Sequence, residues 1–549
     1  MSMYKRKADI IIKNGTIVDG SGTPAYYADI AIRGDKIDYI GNLDGVDAPL
    51  VIDATHKYVT PGFIEPHSHS DMTIWANPTT EASLRQGVTT EVVGNCGFSM
   101  RHKLGKIPFD KKGDSVKCVY DMMDEKNIPE GAMAAVLDKM EAMGCSENTA
   151  WLCGHNDLRV IAGVNTVEAT DEQFEIMAKF LREAMEAGFI GFSTGLEFDP
   201  GVMCKPQEVE RLAMIAAEYD ANYSTHMRDE GTYILEAVNE FLNVIRKTGM
   251  RGQVSHLNVK YDNGIPNEVL YKAMQMLKDA REIEHLNVFA DMLSTTFAVG
   301  GAQAMLPSWL YADGWDKARK ILADPIGREK VKKDLNRYWR FLAAGQWDRL
   351  LYVKPYYWEE VANTPFKELV EKWGKAPADC FLDIFEAAPT IEDVRNIEMI
   401  GIVFHEQTLI DTVINDPIYM WQADSRSASA DGPVAPIIKQ CQDFMAYIYF
   451  FTRYVKELGV ISIEAAVNKA THRVAKHFNL RKRGLLQEGY FADINVFDLN
   501  ALEVKSTHTD THHYSEGMEY VIVNGVPTIA KGVHTGARAG KVLRNMPTK

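Results

Sequence analysis

A chain of 549 residues is too long for one ordinary core, but one large barrel plus an appended domain would absorb it. Apolar residues at 46% and charged residues at 25% are those of a soluble globular protein, and a formal charge of -15 with no basic, aromatic-interleaved cluster argues against nucleic-acid binding. Met1 to Ile12 holds no apolar run long enough for a signal peptide or membrane span, and seven cysteines in so long a chain make no disulfide framework, so a reducing cytoplasm is the expected home.

In chain order, residues 8–60 read as short strands and turns. Ala8–Gly15 ends in a hairpin signal, and Asp29–Ile37 alternates and turns in the same way. The far end repeats this texture at Ala492–Phe497 and Tyr520–Gly525. The expectation is one small β-sandwich built from both termini, residues 1–60 and 481–549. Between them, 61–480 alternates apolar strand-like runs with amphipathic helical ones, the pattern of an α/β chain folded as a (β/α)8 barrel. Eight strand candidates end near His69, Cys96, His155, Thr194, His226, His256, Asp291 and Asp424, with helices over Asp171–Ala187 and Lys205–Tyr219. The longest interruption, near 300–415, carries Tyr338-Trp339-Arg340-Phe341 and Tyr356-Tyr357-Trp358; it reads as a lid, a pocket wall or a packed accessory layer.

The chemistry begins at Pro61–Asp71, where His67 and His69 stand two residues apart and so face the same way in a strand. Alone, such a pair is as readily a packing feature. Further donors arrive at the ends of other predicted strands: Cys96 between Gly94 and Gly97, His226 after the fifth, His256 after the sixth and Asp424 after the eighth. That end is where barrels of this type place their chemistry. A thiolate with imidazoles is a zinc-type coordination sphere, and a bound metal brings the pKa of water to roughly 7. A free carboxylate nearby can then move the proton. The set suits hydrolysis of an unactivated acyl bond.

These segments, with Gly94–Ser99, Gly191–Glu197, Thr225–Gly231, Ser255-His256-Leu257 and Gly489–Asp493, make the chain similar to the amidohydrolase superfamily over nearly its whole length, and within it to the D-aminoacylase (N-acyl-D-amino-acid deacylase) branch. Most of the superfamily bridges two metals with a lysine on the fourth strand; Gly188–Thr194 has none. The resemblance implies a tight zinc on Cys96, His226 and His256, a second, weaker metal on His67, His69 and Cys96, and Asp424 as proton carrier.

The departures concern substrate. The branch usually carries a lysine, a tyrosine and an arginine that grip the substrate carboxylate; at those places stand Asn258, Asp291-Met292-Leu293-Ser294-Thr295 and Gly432–Pro436. Asn258, Ser294 and Thr295 are therefore candidate neutral substrate contacts, with Arg426, Lys260 and Arg228 as alternative cations. The expected function is zinc-dependent hydrolysis of a small-molecule, non-peptide C–N amide, with a preference for substrates lacking a free carboxylate. Alternatives are an N-acyl-D-amino-acid deacylase with a re-sited carboxylate clamp, a cyclic-amide hydrolase of the hydantoinase or dihydroorotase type, and a zinc-stabilised scaffold without catalysis, against which Asp424 stands. The sequence leaves the oligomeric state open.

Overall fold

The computed structural model describes residues 7–99, 131–164, 166–259, 267–311, 313–335 and 340–545. Eight strands share one sheet: β1 (Phe63–Ser68), β2 (Val88–Val93), β3 (Asn148–Gly154), β4 (Gly191–Gly195), β5 (Asn222–His226), β6 (Arg251–Val254), β7 (Val288–Leu293) and β8 (Tyr419–Gln422). Neighbours in sequence are neighbours in space, and every pairing is parallel. A parallel bridge between Ser68 and Ser425, with the His69 N–H donating to the Ser425 carbonyl at 2.7 Å, brings β1 back to the end of β8 and rounds the sheet into a barrel. Strands β1 to β5 are buried at every position, as expected where helices cover one face and the barrel interior the other.

The helices between strands follow from local signals. Asp171–Ala187 starts at Thr170, whose hydroxyl accepts from the Gln173 N–H while the Gln173 side chain reaches back, and stops at Gly188 with φ 104°. Pro206–Ala217 opens on a proline at its first turn. Ile234–Thr248 buries Ile234, Val238, Phe241, Leu242 and Ile245 along one stripe against the barrel.

Both ends of the chain meet in one nine-stranded sheet, in which Tyr58–Pro61 pairs with Ile494–Phe497 and joins the N-terminal strands to the C-terminal ones. An antiparallel bridge between Lys36 and Phe491 further ties the N-terminal strand Lys36–Gly41 to the C-terminal part. Ile12, Ile30, Ile32, Ile37, Ile494 and Val496 share one buried cluster. Between β7 and β8 lies an antiparallel sheet with Glu398–Ile402 paired between Phe297–Gly301 and Leu350–Lys354, packed by helices that bury Phe366, Phe381 and Phe385. Tyr338 and Trp339 lie outside the described residues. Among the described residues no helix is long and apolar enough to cross a membrane.

Candidate metal centre

The barrel delivers the six candidate residues to one place, the C-terminal ends of its strands. His67 is on β1 with His69 just beyond, Cys96 follows β2, His226 ends β5, and His256 and Asp424 stand two residues past β6 and β8. Cys96 Sγ lies 3.3 Å from His67 Nε2, 3.9 Å from His226 Nδ1 and 3.8 Å from His256 Nε2, and the last two nitrogens are 3.0 Å apart. Asp424 Oδ1 is 3.2 Å from His69 Nε2 and 3.7 Å from His67 Nε2.

Three of these residues hold backbone conformations that side-chain-bearing residues avoid: φ is 53° at Cys96, 35° at His256 and 51° at Asp424. Such positions cost on the order of 1–3 kcal/mol each and persist where the surroundings over-determine them. The Cys96 turn is fixed from both sides. A Cβ at Gly195 would collide with the Cys96 carbonyl, and one at Gly97 (φ 79°) would stand 2.6 Å from the Gly195 N–H nitrogen, so only glycines let β4 close on this loop.

Burial alone would push the Cys96 thiol up, but His67, His226 and His256 hold it well below the ordinary thiol range. Burial opposes protonation of His67 as well, yet Cys96, Asp291 and Asp424 bring it well above the usual imidazole value, and His69 is raised to about 9 against the same burial by Asp424 and Cys96. Asp424, desolvated but facing these rings, is well below the usual carboxylate range. The site is thus anionic sulfur and oxygen set among imidazoles. Donor atoms of Cys96, His226 and His256 lie within 4.8 Å of one another, as do those of His67, His69 and Cys96, and those of His67, His256 and Asp424. This donor set fits a divalent metal of the zinc type.

Three carboxylates that the sequence reading did not assign complete the surroundings. Asp291, at the end of β7, accepts the His256 N–H at 2.6 Å and lies 3.4 Å from His67 Nδ1. Glu230 reaches His256 Nδ1 at 2.5 Å, and Glu197 reaches His226 Nε2 at 3.1 Å. Glu230 follows His226 by four residues and Glu197 closes the Gly191–Glu197 segment, so both sat inside recognisable motifs; nothing in their spacing alone says which histidine each meets.

The candidate substrate residues divide. Arg426 lines the cavity of about 920 Å³ that opens over Cys96, His226, His256 and Asp424. Asn258, Ser294 and Thr295 are buried in the scaffold: Asn258 Nδ2 donates to Met292 Sδ at 3.8 Å, Ser294 to the Ala446 carbonyl and Thr295 to the Phe297 carbonyl, each at 3.0 Å. None of the three lines that cavity. Arg228 is held by Glu240 through two contacts of 2.9 Å, and Lys260 lies outside the described residues. The segment between β7 and β8 supplies a wall of the cavity through Val299, Gly300, Tyr356, Arg395 and Glu398. His155, another strand-end histidine, is elsewhere, bound to Glu208 at 2.7 Å beside Arg159.

A family model described as Amidohydrolase family matches residues 50–333 and 419–529, leaving out most of the segment between β7 and β8. The chain belongs to the amidohydrolase family. It is 27% identical to a D-aminoacylase of Alcaligenes xylosoxydans xylosoxydans over 97% of both chains. Among solved structures it is similar to the N-acyl-D-glutamate deacylase of Bordetella bronchiseptica, complexed with zinc and a phosphonate mimic of the tetrahedral intermediate, at 26% identity and TM-score 0.73 over 98% of this chain and 100% of that one. An L-hydantoinase from Arthrobacter aurescens, at 16% identity and TM-score 0.54 over 98% and 100%, shares the fold.

Proposed function

We propose that the protein is a zinc-dependent deacylase of N-acyl amino-acid-type amides, with Asp424 carrying the proton and Arg426 receiving the substrate's carboxylate. The observation that carries the reading is the convergence of Cys96, four histidines and a cavity-facing carboxylate at the C-terminal end of one barrel. A divalent metal bound there polarises a carbonyl and makes water acidic near neutral pH.

The chain's own residues supply the remaining steps. Cys96, His226 and His256 hold the tighter ion, and His67 and His69 complete a second position with Cys96. Asp424, with a side chain 31% exposed while His67 is fully buried, takes the proton of the attacking water and returns it to the leaving nitrogen. Phe198 packs on His226 with ring centroids 4.4 Å apart, Phe98 packs on Phe198, and both add apolar wall to the cavity beside the metal-donor residues.

The place of Arg426 beside Asp424 supports an acidic substrate. Arg426 donates its backbone N–H to Asp443 Oδ1 at 2.7 Å, its guanidinium stands in a long ion pair, 3.8 Å from Oδ2, and the residue lines the cavity two positions from Asp424. Lys439 and Arg395 line the same space but stand 3.6 Å from Glu398 and 3.5 Å from Glu392, which line it too, so Arg426 is the cation this reading rests on. The neutral-substrate expectation rested on Asn258, Ser294 and Thr295, which are engaged within the scaffold. The D-aminoacylase and the N-acyl-D-glutamate deacylase reported above are named for D-configured substrates, and the same configuration is proposed here. The six cysteines among the described residues are free, which supports a reducing compartment.

The test is a parallel assay of N-acetyl-D-methionine, its carboxamide and a hydantoin with zinc-loaded protein. Fastest turnover of the free acid is the expected result. Faster turnover of the carboxamide would remove the carboxylate grip, and ring opening of the hydantoin alone would make this a cyclic-amide hydrolase.

A further inference from the structure

We infer that Glu230 is a positioning residue for the tighter metal position, fixing which nitrogen of His256 faces the ion; this rests on the metal-site reading above. The argument starts in the turn after β5. Asp229 Oδ1 accepts the N–H groups of Gly231 and Tyr233 at 2.7 and 2.8 Å, closing residues 229–233 into a tight turn just before the helix Ile234–Thr248. With Asp229 turned toward the turn's own backbone, Glu230 points inward and is completely buried.

Its carboxylate meets His256 Nδ1 at 2.5 Å and stands 4.0 Å from His226 Nε2. The ring of His256 is thereby held from behind, while its backbone N–H is held by Asp291 at 2.6 Å in a conformation with φ 35°. With both handles fixed, Nε2 is the nitrogen left to face Cys96 and His226. His226 is oriented the opposite way round. Glu197 takes its Nε2 at 3.1 Å, so Nδ1 faces Cys96 and His256. The rings meet at 74° with centroids 4.5 Å apart, which lets two different ring nitrogens converge on one point. Each ring is thus oriented by its own carboxylate, Glu230 behind His256 and Glu197 behind His226. Carboxylates behind ligating histidines fix the tautomer and raise ligand basicity, and their loss typically costs 10–100-fold in metal affinity.

The two carboxylates differ in exposure, and this gives the experiment its contrast. The Glu197 side chain is 17% exposed, whereas that of Glu230 is 0% exposed. Water can replace the first partner more readily than the second. Metal is stripped with a chelator, and zinc affinity is measured by competition with a chromophoric chelator for the wild type, Glu230→Gln, Glu230→Ala and Glu197→Gln, with near-ultraviolet circular dichroism to verify folding. The cadmium-loaded wild type, with isotope-labelled histidine, is read by NMR for the metal-bound nitrogen of each ring.

The expected result is a roughly 10–100-fold weaker zinc affinity for folded Glu230→Gln, a greater loss for Glu230→Ala, a smaller loss for Glu197→Gln, and cadmium coupling to Nδ1 of His226 and Nε2 of His256. Should the alanine variant fail to fold, the glutamine variant decides. A folded Glu230→Gln with wild-type affinity, or coupling to Nδ1 of His256, overturns the inference while leaving the metal site standing. A wild-type protein that takes up no zinc overturns the metal-site reading and this inference with it.

Discussion

Asp424 Oδ1 stands 3.2 Å from His69 Nε2 at the mouth of the barrel. His67 first, and then this contact with His69, hold the carboxylate in its ionised form against burial, and the 31% exposure of the side chain leaves it open to the cavity. A group placed this way can exchange a proton with substrate without being needed to retain the tighter ion. Asp424→Asn is therefore expected to keep its zinc and lose roughly a hundred- to ten-thousand-fold in kcat. Turnover close to wild type, with metal content measured on the same sample, would remove Asp424 from the proton path. Asp431, the next carboxylate along the chain, is exposed and does not line the cavity, so it offers no ready substitute.

The metal assignments separate by variant. Cys96 Sγ is shared by the group it forms with His226 and His256 and the group it forms with His67 and His69, while a third group joins His67 and His256 to Asp424. Cys96→Ala and His226→Ala should both abolish retention of the tighter zinc through gel filtration. His67→Ala should spare that ion and weaken the second. Elemental analysis of the three variants checks this, and full zinc in Cys96→Ala would contradict the assignment.

Much of this site was legible in the sequence because each metal-donor candidate sits at the end of an apolar run, where strand periodicity and barrel topology together dictate its place. His67, Cys96, His226 and His256 needed only the pattern of strands to be brought together. The substrate side was not legible for a physical reason. Asn258, Ser294 and Thr295 also stand near strand ends, but their side chains turn into the scaffold and bond to Met292, Ala446 and Phe297. Which way a side chain turns past a strand end is set by tertiary packing. Tyr356 lies in the aromatic stretch read as a lid, wall or accessory layer, but Arg395 and Lys439 come to the cavity from segments with no periodic signal of their own, and Tyr356 and Lys439 are fixed by mutual contact, the ammonium lying 3.7 Å over the ring.

The proposed carboxylate grip makes Arg426 a specificity residue. Removing one charge-assisted partner is typically worth about 1.5–3 kcal/mol, or roughly ten- to a hundredfold in rate. Arg426→Gln should lower kcat/KM for N-acetyl-D-methionine by about that factor, chiefly through KM, and leave the carboxamide nearly unchanged. Equal losses on acid and carboxamide would show that Arg426 supports the fold around Asp443 instead of reading the substrate.

A final prediction lies away from the metal and tests how the buried framework responds to acid. His477 is almost completely buried, and among the described residues neither of its ring nitrogens has a hydrogen-bond partner. Its ring packs edge-on against Phe289, which also carries the Arg281 guanidinium 3.9 Å from its ring centre. Burial, with Arg251 and Arg281 adding repulsion, pushes the imidazole down to about 3. In the unfolded chain the same group titrates near 6.5. Between those values the unfolded state binds a proton that the folded state refuses, so stability falls as pH drops from about 6.5 toward about 3, by up to about 1.4 kcal/mol per pH unit from this group. His477→Phe removes the term while filling nearly the same space. Thermal midpoints of the metal-free proteins at pH 7.5 and pH 5 should show a smaller acid-induced drop in the variant, by the equivalent of about 2 kcal/mol. An identical drop in both proteins would mean that His477 is protonated inside the fold.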